Sequence, residues 1–169
     1  MRRRQHLVCL LLGSNIQPEH HLALAAARLQ DLVEVVLSSS VWETPPVGSD
    51  DADFLNAALL IRTPLEAASL KKHILLPLEE QLGRVRNRDK YAARTIDLDL
   101  ITYDDLLLDP TLWQYAHRAV PVSEVLPGYR SESGESLKEA ALRLGRQTPL
   151  RLRPDVAMPG SAQPTRNRT

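Results

Sequence analysis

His6-Leu7-Val8-Cys9-Leu10-Leu11-Leu12 is an almost wholly apolar run ended by Gly13-Ser14-Asn15, and it reads as a central β-strand running into a turn. Working outward, Pro18 stands where a helix would begin, and Leu22, Ala25, Ala26 and Leu29 recur at helical spacing. Residues 18–31 are therefore expected to form an amphipathic helix. Val33 to Trp42 is rich in β-branched residues and reads as one long strand. It is stopped by the stiff loop Thr44-Pro45-Pro46-Val47-Gly48. Phe54 to Arg62 returns to strand character, and Thr63-Pro64 ends it while opening a second helix, Leu65 to Leu82, with Gly83 as its stop. Pro77 inside that helix should kink it or shift its boundaries. Residues 84–94 are a basic loop without clean periodicity. Thr95 to Tyr103 alternates sharply, with Leu106 to Leu108 as a possible hairpin partner. Short helices are expected at Val120 to Leu126, begun by Pro121, and at Glu135 to Leu144.

The order strand, helix, strand, strand, helix, strand is that of an α+β, ferredoxin-like split β-α-β sandwich. It implies a mainly antiparallel sheet with helices packed on one face, the other face or rim being left for loops and ligand. Residues 1–145 are read as the domain and residues 146–169, rich in Pro and Arg, as a flexible C-terminal tail.

With 169 residues, one domain with a real core is expected. The formal net charge is zero, so no global field draws the protein to nucleic acid or anionic lipid. Arginine greatly outnumbers lysine, which suits fixed, bidentate recognition of phosphate or carboxylate. Cys9 is the only cysteine, so no intramolecular disulfide forms, and an inert buried thiol is expected. No apolar stretch approaches the ~20 residues that span a bilayer. The basic start, Met1-Arg2-Arg3-Arg4-Gln5-His6, is followed by too short an apolar run for a secretion signal. A cytoplasmic, soluble monomer acting on small molecules, with neither nucleic acid nor membrane as partner, is the expectation.

The chemistry concentrates in Arg94-Thr95-Ile96-Asp97-Leu98-Asp99-Leu100. On a strand, Asp97 and Asp99 share one face while Ile96, Leu98 and Leu100 share the other. The two carboxylates then stand roughly 6.5 to 7 Å apart along the chain. Two hard oxygen ligands at that spacing suit one or two magnesium ions carrying phosphate oxygens. A half-buried strand with ordinary acids on its solvated face is the plain alternative. Arg84, Arg86, Arg88, Lys90 and Arg94 lie just upstream, so acids and cations either pair with each other or converge on one polyanion. No Walker-type glycine loop is present, so a bound ATP would be held by arginines and metal.

Five motifs stand in order: Gly13-Ser14-Asn15; Glu43-Thr44-Pro45-Pro46-Val47-Gly48; Phe54-Leu55-Asn56-Ala57-Ala58; Glu79 with Gly83-Arg84-Val85-Arg86; and Arg94-Thr95-Ile96-Asp97-Leu98-Asp99. Together, over about Leu7 to Leu144, they resemble the 6-hydroxymethyl-7,8-dihydropterin pyrophosphokinase family of folate biosynthesis. The resemblance implies that ATP gives its terminal pyrophosphate to the pterin's hydroxymethyl oxygen, releasing AMP. It implies two Mg2+ ions on Asp97 and Asp99, and Arg84 and Arg94 as phosphate-side cations acting with Asp97 in catalysis. Glu79, Arg86, Tyr91 and Leu100 are implied on the nucleotide side. Thr44, Pro45, Pro46, Val47, Phe54, Asn56 and His117 are implied around the pterin, with His117 roughly in the place of a stacking phenylalanine. No dedicated base is recognisable; Asp97 or a bound water is open. The basic 84–94 loop is a candidate lid. The family's usual Trp-Gly-Pro-Arg reads here Tyr91-Ala92-Ala93-Arg94, and its Pro-His segment after Pro110 is not recognisable. A divergent pterin- or nucleotide-binding paralogue and a non-catalytic ferredoxin-like or RNA-binding module are the other readings.

Overall fold

A computed structural model describes residues 4–160. Met1 to Arg3, most of the basic start, and residues 161–169, the end of the expected tail, lie outside the described residues. The apolar run becomes β1 (His6–Ser14), the middle of an antiparallel sheet. On one side β1 pairs with β4 (Phe54–Thr63) and on the other with β5 (Asp97–Tyr103). Both of β1's backbone edges are thus satisfied, which lets so apolar a segment lie buried at every position but the half-buried Leu7.

The long strand expected from Val33 to Trp42 is two strands, β2 (Glu34–Ser38) and β3 (Trp42–Thr44), both paired with β4. The break comes at buried Ser39, whose Oγ accepts from Ala58 N–H at 2.8 Å while its own N–H donates to Ala58 O at 2.9 Å. A hydroxyl that replaces a ladder bond lets the edge bend without stranding a buried donor. β6 (Leu106–Leu107) makes the expected hairpin with β5.

Helix α1 (Pro18–Leu32) matches its expected limits, with Leu22, Ala25, Ala26 and Leu29 buried on the sheet. The helix holding Pro77 is divided into α2 (Ala67–Leu70), a π-helical turn (Lys71–Leu75) and α3 (Leu76–Gln81). Leu76 N–H reaches back to Lys71 O, so Pro77, which has no N–H to give, follows as a first-turn residue of the next segment. Gly83 ends it at φ +80°.

The expectation of helices on one sheet face only is corrected. Helix α4 (Ala116–Val125) packs on the second sheet face and α5 (Leu137–Gly145) packs on α4, so both faces carry helices. One core joins Val8, Leu10, Leu12, Leu59, Ile61, Ile96 and Leu98 to α1 and α2–α3. The other joins Cys9, Leu11, Ala58, Leu60 and Ile101 to Leu112, Ala119, Val122, Val125 and Leu137. The strands' alternation supplies both, because successive residues of β1 feed opposite faces. α4 starts four residues before the expected Val120, and Pro121 lies inside it.

Residues 146–160, expected within the tail, contain β7 (Arg151–Leu152), which extends the sheet by pairing with β3. Arg153 then binds Glu43, Glu19 at 2.9 Å and Asp155 at 2.8 Å. Among the described residues no helix is long and apolar enough to cross a membrane.

Candidate active site

On the second face, α4 packs against β4 and β1 while α5 packs on α4, and a cavity lies beside them at the strand ends that carry Gly13, Asn56 and Asp97. Strand register fixes what is displayed there. Gly13 stands opposite both Asn56 and Asp97, Leu11 opposite Asp99, Trp42 opposite Asn56, and Thr44 opposite Phe54. The result is a cavity of about 370 Å³, within the size range of small-molecule sites. Pro45, Pro46 and Val47 form one wall, Tyr91 and Arg94 come from the basic loop, and Tyr115, His117 and Arg118 come from α4 and the residue before it.

Its apolar half is lined by Leu11, Pro45, Pro46, Val47 and Phe54. Asn56 and Thr44 are buried at the floor, and Asn56 Nδ2 donates to Thr44 Oγ1 at 2.8 Å. That bond fixes the amide's orientation, leaving its acceptor side toward Gly13. A Cβ on Gly13 would stand 3.3 Å from Asn56 Oδ1, so glycine keeps this floor open. Tyr115 and His117 stack with ring centroids 5.4 Å apart. Burial, and next the Arg118 charge, push the His117 imidazole down to a pKa of about 4; it is a neutral ring at physiological pH, able to stack.

The polar half holds the carboxylates. Arg94 Nη1 donates to Asp97 Oδ2 at 2.8 Å, and Arg84 Nη2 lies 4.0 Å from Asp97 Oδ1. Arg118 Nη1 donates to Asp99 Oδ2 at 3.2 Å and to Asp109 Oδ2 at 2.7 Å. Burial and the neighbouring Asp97 raise the Asp99 pKa, against the pull of Arg118. The Nε atoms of Arg84 and Arg118 are buried without a partner among the described residues, so two guanidinium groups have donors to spare beside the acids.

This donor set fits magnesium. Among the described residues no three His, Cys, Asp or Glu side chains converge. Two carboxylates next to a cavity suit an ion that keeps waters and takes its other ligands from substrate phosphates.

The basic loop is tied down by Asn15. Asn15 N–H donates to Arg94 O at 3.1 Å, its Oδ1 accepts from Arg94 N–H at 2.8 Å, and its Nδ2 donates to Ala52 O at 3.3 Å. One side chain thus joins the end of β1, the loop before β4 and the end of the basic loop. Tyr91 lies against Gly48, where a Cβ would come within 2.9 Å of the ring; the loop thereby touches the Pro45–Val47 wall.

The cavity thus gathers Thr44, Pro45, Pro46, Val47, Phe54, Asn56, Tyr91, Arg94, Asp97, Asp99 and His117. Four of the expected residues lie outside it. Leu100 faces the first core, because alternation turns it from Asp99, so its side chain is directed away from any ligand in the cavity. Glu79 is buried at the outer edge of β5, where it accepts from Leu98 N–H at 2.8 Å and pairs with Arg86. Burial raises its pKa, and the Leu98 N–H opposes that rise. Arg84 adjoins Asp97 from that edge, and Arg86 is mostly exposed. Sequence reasoning missed Arg118, Asp109 and Thr111. The available signal was Asp109-Pro110-Thr111, in which Asp109 caps a 3-10 turn by accepting from Thr111 N–H at 3.0 Å.

Residues 9–127 match the family described as 7,8-dihydro-6-hydroxymethylpterin-pyrophosphokinase (HPPK). The chain belongs to that family. It is 34% identical over 147 residues to the 2-amino-4-hydroxy-6-hydroxymethyldihydropteridine pyrophosphokinase of Methylorubrum extorquens, covering 79% of this chain and 90% of the relative. A protein of the same description from Synechocystis is 28% identical over 165 residues, covering 90% and 84% respectively. Among solved structures, wild-type Plasmodium falciparum HPPK-DHPS with pteroate superposes with a TM-score of 0.65 at 11% identity. That match covers 85% of this chain and 43% of the longer parasite chain, and it supports the fold.

Proposed function

We propose that this cavity transfers the terminal pyrophosphate of ATP to the hydroxymethyl oxygen of 6-hydroxymethyl-7,8-dihydropterin, releasing AMP. The observation that carries this reading is that an apolar slot floored by Asn56 opens directly onto Asp97 and Asp99 and their arginines. Pro45, Pro46, Val47, Phe54, Tyr115 and His117 hold the pterin ring, and Asn56 reads its polar edge. Asp97 and Asp99 hold magnesium, as two ions on the family pattern. Magnesium bound there offsets the charge of the triphosphate and of the departing AMP. Arg84 and Arg94 contact phosphate oxygens, Arg86 and Glu79 line the nucleotide side at the edge of β5, and Leu100 contributes there through its backbone.

In the reaction, the pterin oxygen bonds to the β-phosphorus as the bond between that phosphorus and the α–β bridging oxygen breaks. AMP leaves with the bridging oxygen, and the hydroxyl proton passes to water. The residues act by placement and by charge, holding oxygen and phosphorus in line in a site closed by the 84–94 loop. His117, with a pKa of about 4, is too weak a base to contribute at neutral pH.

The ion pair of Arg118 with Asp99 favours one other reading, a divergent relative that binds pterin or nucleotide and turns over poorly. Phosphorus NMR of a reaction mixture separates the two. The proposal expects a pterin diphosphate and AMP in equal amounts. ADP with a pterin monophosphate, or binding without product, would overturn it.

A further inference from the structure

Arg118 lies outside all five motifs, yet its guanidinium stands in the cavity wall against Asp99. It is held firmly. Its bond to Asp109 is shorter than its bond to Asp99, 2.7 Å against 3.2 Å. Asp109 is itself fixed, since its Oδ1 accepts from both Thr111 N–H at 3.0 Å and Thr111 Oγ1 at 2.6 Å. The Arg118 backbone sits in the first turn of α4, with its N–H on Tyr115 O at 3.1 Å. Arg118 Nε remains buried and without a partner among the described residues. An unmet buried donor on a cation, next to a cavity, points to an anionic partner that arrives with the ligand.

Resting on the function proposed above, we propose that Arg118 is an exchangeable counter-ion that makes metal and nucleotide binding interdependent. In the free protein it neutralises Asp99. A divalent cation that takes Asp99 must displace a like charge, and without nucleotide that charge has only Asp109 to turn to. When a triphosphate is present, the freed guanidinium stays anchored on Asp109 and gives its donors to phosphate oxygens. Arg94 stands in the same relation to Asp97, so both acids begin paired with arginine. The metal alone therefore binds weakly, the metal with nucleotide binds well, and by linkage each tightens the other by the same factor.

The test uses Mn2+ as the metal and α,β-methylene-ATP as the uncleavable nucleotide, with free Mn2+ read by electron paramagnetic resonance. In Arg118→Met, Mn2+ alone should bind about tenfold more tightly than in wild type, and the nucleotide's tightening of Mn2+ should shrink by about tenfold or more. Asp109→Asn should act in the opposite direction on Mn2+ alone, because the released guanidinium then turns fully onto Asp99. Unchanged or weaker Mn2+ binding by Arg118→Met alone would overturn the exchange, as would equal shifts in both variants. Asp99→Asn keeps the two claims separate. If it binds Mn2+ with nucleotide as wild type does, Asp99 is no metal ligand and the metal assignment of the proposed function fails. If it loses that binding while Arg118→Met changes nothing, only the exchange fails.

Discussion

Gly13 and Asn56 show how much a single position decides in this site. Asp97 and Asp99 were legible because alternation in a strand needs nothing beyond the local sequence. Gly13 was legible only as part of a motif; its reason, the 3.3 Å approach of a Cβ to Asn56 Oδ1, depends on register between distant strands. Gly13→Ala should leave folding largely intact and raise KM for the pterin about tenfold with kcat less affected, since the methyl intrudes on the ring's polar edge. An unchanged KM in steady-state kinetics would show that the ring sits elsewhere. His117 makes a separate prediction through its depressed pKa. The folded protein holds it neutral down to about pH 4, whereas the unfolded chain protonates it near the ordinary 6.5. Its contribution to stability is therefore complete above pH 6.5 and is lost as pH falls from 6.5 to 4, by up to about 1.4 kcal/mol per unit. Urea unfolding at several pH values should show His117→Phe losing less stability than wild type over that interval; parallel curves would contradict it.

Among the elements, the strands and α1 were readable because their periodicity is strong, while short or mutually dependent pieces were not. β7 is two residues long, and its reason for existing is a ladder with β3 together with the ion pairs of Arg153. Composition alone presented that segment as a loose tail. The division of β2 from β3 likewise depends on the hydroxyl of Ser39 finding Ala58 across the sheet. Arg153 is 13% exposed and faces three carboxylates, so Arg153→Ala leaves Glu43 short of a partner. The expected cost is about 2 kcal/mol, or a fall in Tm of about 4–8 °C for a chain of this size. A Tm within 1 °C of wild type would mean that the residues after β7 contribute nothing to the domain.

For the molecule as a whole, the ferredoxin-like order could be read from the succession of strands and helices, but the use of both sheet faces could not. Pro121 pointed to a helix start, whereas α4 begins at Ala116 and carries His117 and Arg118 into the cavity. That start is set by packing of Ala116 and Ala119 on the sheet, a tertiary cause that overrides the local signal. The divided second face explains why the site lies where it does: α4 packs on the apolar parts of the strands, and Gly13, Asn56, Asp97 and Asp99 line the cavity beside it. On the function proposed above, this cavity carries out diphosphate transfer with Asp97 and Asp99. The direct test is AMP release from ATP with magnesium, with and without 6-hydroxymethyl-7,8-dihydropterin, in wild type, Asp97→Ala and Asp99→Ala. Wild type should release AMP only with pterin, and each variant should lose at least about a thousandfold of that activity with folding retained. Folded wild type that releases no AMP, or variants that release it at the wild-type rate, would contradict that proposal.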